Sequence, residues 1–162
     1  MFLKILLVFL VSMVPLIELR GAIPIAIGMG LELPEWAILI IAAIGNLIPV
    51  PFIFLFARKV LVWGSAKCKK CKTFKKFCTF CLKKGEKAGA KLLKKAGRGL
   101  YFALYLFVAI PVPGTGAWTG TLAASILNLD FKKTMVAVVA GVITAGLIML
   151  LISLGLFKVL FA

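Results

Sequence analysis

Histidine is absent from all 162 residues. Its absence removes the Ser-His-Asp and Cys-His nucleophile arrangements, an imidazole proton shuttle and every histidine metal site, so hydrolases of the usual kinds are excluded and no enzymatic activity is expected. Acidic residues are almost as scarce, with Glu18, Glu32, Glu35, Glu86 and Asp130 making up the 5 that face 20 Lys and Arg. Charge of either sign occupies only 15% of the chain while 63% is hydrophobic. The mean hydropathy of +1.14 lies far above that of an ordinary soluble domain. The surplus of +15 is also unevenly placed. Fifteen cations fall between Arg58 and Arg98, beside the single acid Glu86.

What remains is a set of long uncharged runs. A spanning helix needs roughly 20 apolar residues at about 1.5 Å each. Trp36 to Ala57, with 22 residues, and Thr134 to Phe157, with 24, meet that requirement and are expected to cross a membrane. The run from Gly99 to Leu129 has 31 residues, too many for one straight crossing and too few for two. Its middle, Pro111-Val-Pro-Gly-Thr-Gly116, cannot continue a helix, because two residues lack a backbone donor and two glycines favour irregular backbone. Each flank is about 16 Å of helix, or half a bilayer. Such a segment is a re-entrant hairpin with its tip near the midplane, where bare backbone must pack in protein or line a wet cavity.

The N-terminus follows the same plan. An apolar arm precedes Pro15-Leu-Ile-Glu-Leu-Arg-Gly-Ala-Ile-Pro24, and a short return arm ends at Leu31. A fully spanning first helix is the rival reading. No A-x-A-like site follows the arm, so a cleaved leader is not expected. Counting cations places residues 58–98 in the cytoplasm, with Lys132 and Lys133 on the same side. The first hairpin (1–35) then enters from outside and the second (99–130) from the cytoplasm. A shift of about 95 places lays Gly21-Ala22 on Gly116-Ala117, Leu31 on Ile126 and Glu35-Trp36 on Asp130-Phe131. The expected fold is therefore an all-α integral membrane protein of two inverted-topology halves. Each half is a re-entrant helical hairpin plus one transmembrane helix (36–57 and 134–157), and a basic cytoplasmic loop (58–98) joins them.

Glu18 and Arg20 are the two charges this plan puts inside the apolar zone, where an ionised side chain is costly unless it pairs or serves an ion or substrate path. If the hairpin is shallow, they instead sit among the outer headgroups. The second tip brings Pro111, Pro113, Gly114, Thr115, Gly116, Trp118 and Thr119. Free N–H groups at a half-helix start attract an anion, and the opposite half-helix end attracts a cation. Pro24 belongs to the first tip, and Asn46, beside Pro49 and Pro51, interrupts the first crossing, where freed carbonyls could face the same cavity or a plain kink could be repaired by neighbours. Gly116, Gly120 and Ala124, like Ala137, Gly141 and Ala145, are spaced for close helix packing.

The loop carries Cys68-Lys-Lys-Cys71 and Cys78-Thr-Phe-Cys81. Four thiolates would satisfy a tetrahedral structural zinc, provided that the chain turns between the pairs; free or S-acylated thiols are the competing account. Otherwise no cofactor is required. Lysines interleaved with Phe74, Phe77 and Phe80 suit anionic inner-leaflet headgroups, and nucleic acid is not an expected partner. Two crossings per chain make a homodimer reasonable.

The two tips, PLIELRGAIP and IPVPGTGAWTG, together resemble the small multidrug export protein family, a group of prokaryotic integral membrane proteins distantly similar to the DedA or SNARE-associated proteins. The resemblance covers roughly Val14 to Ala57 and Val108 to Phe157. It implies two opposed re-entrant hairpins in the cell membrane and a role in moving a substrate. Transferred by position, the acid and base of the first motif are Glu18 and Arg20, and the second-tip residues are Gly114 to Gly120. The expected function is a transporter or exporter of a small molecule, in which Glu18 exchanges a proton or cation while Arg20 contacts an anionic substrate group or holds Glu18. A DedA-like flippase or scramblase of lipid or lipid phosphate is the alternative, although this second hairpin lacks the extra charges of DedA-type proteins. A non-transporting scaffold with a basic recruitment loop is the third reading.

Overall fold

A computed structural model of the chain describes residues 2–15, 17–31, 33–67, 79–80, 83, 99–112 and 115–161. Its principal elements are seven α-helices: α1 (Phe2–Ser12), α2 (Glu18–Gly28), α3 (Glu35–Leu47), α4 (Pro49–Lys67), α5 (Gly99–Ala109), α6 (Ala117–Ile126) and α7 (Phe131–Phe161). No strand occurs among the described residues.

The breaks fall where donors are missing or glycine intervenes. Helix α1 tightens at its end, with the N–H groups of Met13 and Val14 donating to the carbonyls of Leu10 and Val11, and Pro15 stops its continuation. Pro49 and Pro51 cannot donate to the carbonyls of Gly45 and Leu47, so the first long apolar segment is divided by a turn at Ile48. Pro49 then opens α4, the first-turn position where its missing N–H is least costly. Helix α7 starts on Asp130, whose Oδ1 accepts the Lys133 N–H at 3.0 Å, an N-cap at the usual spacing.

Both short return helices end in the same way. Gly30 at φ 57° lets its own N–H reach the Ile27 carbonyl and that of Leu31 reach Ala26. Asn128, also at φ 57°, repeats the pair with Ser125 and with Ala124, which accepts from Leu129. Both are Schellman closures through a left-handed residue. They align Leu31 with Leu129, whereas the shift of about 95 read from sequence laid Leu31 on Ile126. The shift is thus 95 at Gly21 and Gly116 but 98 at Leu31 and Leu129, so the difference of three residues arises between the tips and the helix ends.

Two segments are long and apolar enough to cross a membrane, Glu35–Trp63 and Phe131–Gly155. The first outruns its sequence limit at Ala57 because Arg58 and Lys59 do not end the helix. Lys59 holds its ammonium 6.0 Å from the Phe56 ring, its stem lying along apolar surface. Each return helix packs against the long helix of the other half, α2 on α7 and α6 on α4, while α5 lies on α7 and α1 on α2 and α3. The core draws on both halves, with Leu19, Ala22, Ile23, Ala42, Val108, Ala117, Val138 and Val142 in one cluster. Small residues set the close approaches: a Cβ at Gly141 would meet the Val108 side chain and the Tyr105 carbonyl, and one at Gly45 would overlap Ser12 and Phe9. Gly120 likewise lies under Val108 and Leu104, and Ala124, Ala137 and Ala145 are buried. The outer surface carries Phe52, Phe56, Val136 and Leu151, all exposed, while polar Ser12, Asn46, Thr121 and Thr134 are buried. An exterior so apolar matches hydrocarbon rather than water.

Candidate functional site

The two broken tips meet. Glu18, the first residue of α2, is 5% exposed and adopts φ 52°, a left-handed conformation unfavourable for a residue with a Cβ. That conformation aims its side chain across to the other half, where Oε1 accepts the Trp118 N–H at 3.2 Å. The carboxylate lies directly on Gly116, and a Cβ at 116 would overlap both of its oxygens. Position 116 thus needs glycine for close approach. The first turn of α6 has N–H groups without intrahelical partners, and a carboxylate there also meets the positive end of the helix dipole. The anion expected at this half-helix start is supplied by the protein itself.

Arg20, two residues further along α2, engages the opposite pole. Its Nη2 donates to the carbonyls of Val108 at 3.0 Å and Ile110 at 3.1 Å, and its Nη1 donates to those of Val112 at 2.6 Å and Thr115 at 2.5 Å. The Thr115 hydroxyl accepts a further bond from Nη1 at 3.2 Å and donates back toward Ile110 or Val112. These carbonyls belong to the end of α5 and the irregular backbone after it, where Pro111 and Pro113 leave acceptors without helical donors. One guanidinium therefore gathers the orphaned acceptors of the second tip. Glu18 and Arg20 make no direct ion pair among the described contacts; acid and base are divided between the start of α6 and the end of α5.

Other buried polar atoms have no partners among the described residues. Both side-chain atoms of Asn46, the Trp118 Nε1 and the Thr121 Oγ1 are buried and make no hydrogen bond among the described residues. Ser125 donates to the Phe54 carbonyl at 2.6 Å, and Phe54 packs with Ala124 and Leu129. Val50, one turn earlier, joins the core cluster that includes Ala117. Pro24 sits inside α2 and removes the helical donor from the Arg20 carbonyl. Thr119 makes only a long contact to the Gly116 carbonyl, 3.4 Å, and is exposed. Pro111 is partly buried. Pro113, Gly114 and the four cysteines Cys68, Cys71, Cys78 and Cys81 lie outside the described residues.

Sequence reasoning singled out both tips but missed a partner of plain composition, the Val108 carbonyl that accepts from Arg20, and the buried Thr121 and Ser125 of α6. The available signal for Val108 was its position just before Pro111, where a helix must end with free acceptors.

The family model described as putative small multi-drug export protein matches residues 18–148, so the match begins at Glu18 and includes Arg20 and the whole second tip. No curated protein and no solved structure matches the chain.

Proposed function

The chain belongs to the putative small multi-drug export protein family, and from that premise we propose that it exports small molecules through the junction of two re-entrant hairpins that enter the membrane from opposite faces. Family membership and the two long apolar helices support a membrane protein with an export role. The single observation that carries the finer reading is the buried Glu18 carboxylate on the start of α6, where it accepts the Trp118 N–H. In this reading Glu18 is the exchangeable group. While ionised it holds the second tip through the Trp118 N–H and the dipole of α6; neutralised by a proton or screened by a cation, it loses that attraction and the tip can part from α2. Arg20 keeps the remainder of the tip folded during the change. The basic segment 58–98 then faces the cytoplasm of the cell membrane, following the cation count.

The test is transport in proteoliposomes with an imposed proton or sodium gradient. Wild type should move amphipathic drugs in a gradient-dependent manner. Glu18→Gln keeps an oxygen to accept the Trp118 N–H, so the chain should insert and bind substrate yet respond to neither gradient. Unchanged gradient dependence in a well-inserted Glu18→Gln chain would sink this assignment, and movement of labelled lipid phosphates without drug movement would favour a flippase.

A further inference from the structure

A groove of about 570 Å³ runs along the outside of the molecule between α5 and the start of α7, away from the tips. We propose that it binds one anionic phospholipid, with the phosphate at Lys132 and Lys133 and an acyl chain along the aromatic wall of α5.

The volume lies within the range of small-ligand pockets. Tyr101, Phe102 and Tyr105 form one wall, and Val136, Ala137 and Ala140 form the floor. The wall is ordered by the Phe102 and Tyr105 rings, stacked with centroids 5.8 Å apart. Small alanines on α7 leave the room. From Lys132 to Ala140 the helix advances about 12 Å, close to the roughly 15 Å depth of one leaflet's hydrocarbon. Polarity is graded along that length. At the far end, the Tyr105 hydroxyl and the Thr144 Oγ1 bond one another at 3.1 Å, so they present no unmet polar group to a hydrocarbon chain.

The other end is cationic. Lys132 and Lys133 are exposed, and neither makes an ion pair among the described residues. Lys133 places its ammonium 5.8 Å from the Tyr101 ring, which holds the charge over the mouth of the groove. Asp130 is the one acid nearby among the described residues; its Oδ1 is taken by the Lys133 backbone N–H, and its own N–H donates to the Tyr101 hydroxyl. Two lysines against this carboxylate leave a net positive mouth at the end of a spanning helix, at headgroup depth. Phe102 and Val136 are 61% and 71% exposed, so the groove opens sideways toward lipid tails. An apolar channel as deep as a leaflet under a cationic rim is complementary to an anionic lipid, and its occupancy is independent of whether the tips transport anything.

The experiment is native mass spectrometry of the intact chain in mild detergent with equal amounts of phosphatidylglycerol and phosphatidylcholine. Wild type should retain one phosphatidylglycerol per chain, about fivefold in preference, as expected for one net cation near an anionic headgroup. Lys132→Gln with Lys133→Gln should equalise the two lipids, leaving the Asp130 cap in place because its partner is backbone. Ala140→Phe should fill the exposed floor and lower retention of both lipids, with circular dichroism showing an unchanged helix content. Equal retention of the two lipids by wild type, or retention untouched by Ala140→Phe, would overturn the proposal. So would an oligomer that Ala140→Phe disperses with no change in bound lipid, since the groove would then be covered by a second copy.

Discussion

Replacing Arg20 by alanine tests the junction of the halves most directly. Four carbonyls and one hydroxyl accept from its two terminal nitrogens, and the bonds to Val108 and Thr115 carbonyls lie in partly buried surroundings. Counting only those two, at about 1.5–3 kcal/mol for a hydrogen bond to a charged group, the loss is about 3–6 kcal/mol. The acceptors of Ile110 and Val112 are more open and add little where water can replace the guanidinium. At about 2–4 °C per kcal/mol for a chain of this size, the midpoint of thermal unfolding in detergent should fall on the order of 10 °C. Arg20→Lys is the sharper variant. A single ammonium keeps the charge but cannot reach both ends of the 108–115 segment as the planar fork does, so about half of the loss should remain. Hydrogen exchange gives the local readout: the Thr115 amide, which donates to Val112 at 3.2 Å, should lose protection before the core of α7. An Arg20→Ala protein with an unchanged midpoint and unchanged Thr115 protection would refute the clamp and return Arg20 to the role of headgroup anchor.

Gly116→Ala should destabilise or inactivate the chain, because its methyl group must displace the Glu18 carboxylate from the start of α6; wild-type transport and melting by this variant would contradict the close approach. In a background lacking native thiols, single cysteines at Leu31 and Lys133 should label from opposite faces of intact cells, and labelling from one face would remove the inverted arrangement. Protein purified without added metal should carry about one zinc per chain, as a four-thiolate site requires, and lose it on Cys71→Ser; metal no higher than in buffer would leave free or acylated thiols.

The breaks in the chain were legible because they are chemical. Pro111 and Pro15 mark the ends of α5 and α1, and the run lengths of the two apolar segments announce the long helices. The end of the first long helix was less so, since a charged residue stops a count of apolar residues but does not stop a helix whose lysine stem can lie on Phe56. The site was half legible. Glu18 and Arg20 stood out as charges in an apolar setting, and Thr115 and Gly116 as irregular backbone. What spacing could not supply was the crossing of partners: Arg20 bonds carbonyls 88 to 95 residues away, and Glu18 bonds an amide 100 residues away. Local pattern specifies which groups need a partner. Only packing of the two halves specifies which partner each receives.

That separation also imposes an order on biogenesis. Glu18 and Arg20 are synthesised and inserted long before Val108, Thr115 and Trp118 leave the ribosome. During that interval the first hairpin holds an acid and a base in an apolar setting with none of their final hydrogen bonds, a costly state. The first half is therefore provisional until the second arrives, and the second needs the first in turn, because the Val108 and Thr115 carbonyls take the guanidinium and the start of α6 takes the Glu18 carboxylate. Two separately produced halves should each be degraded when expressed alone and rescue one another when expressed together, so the unit of quality control is the joined pair of tips rather than either hairpin.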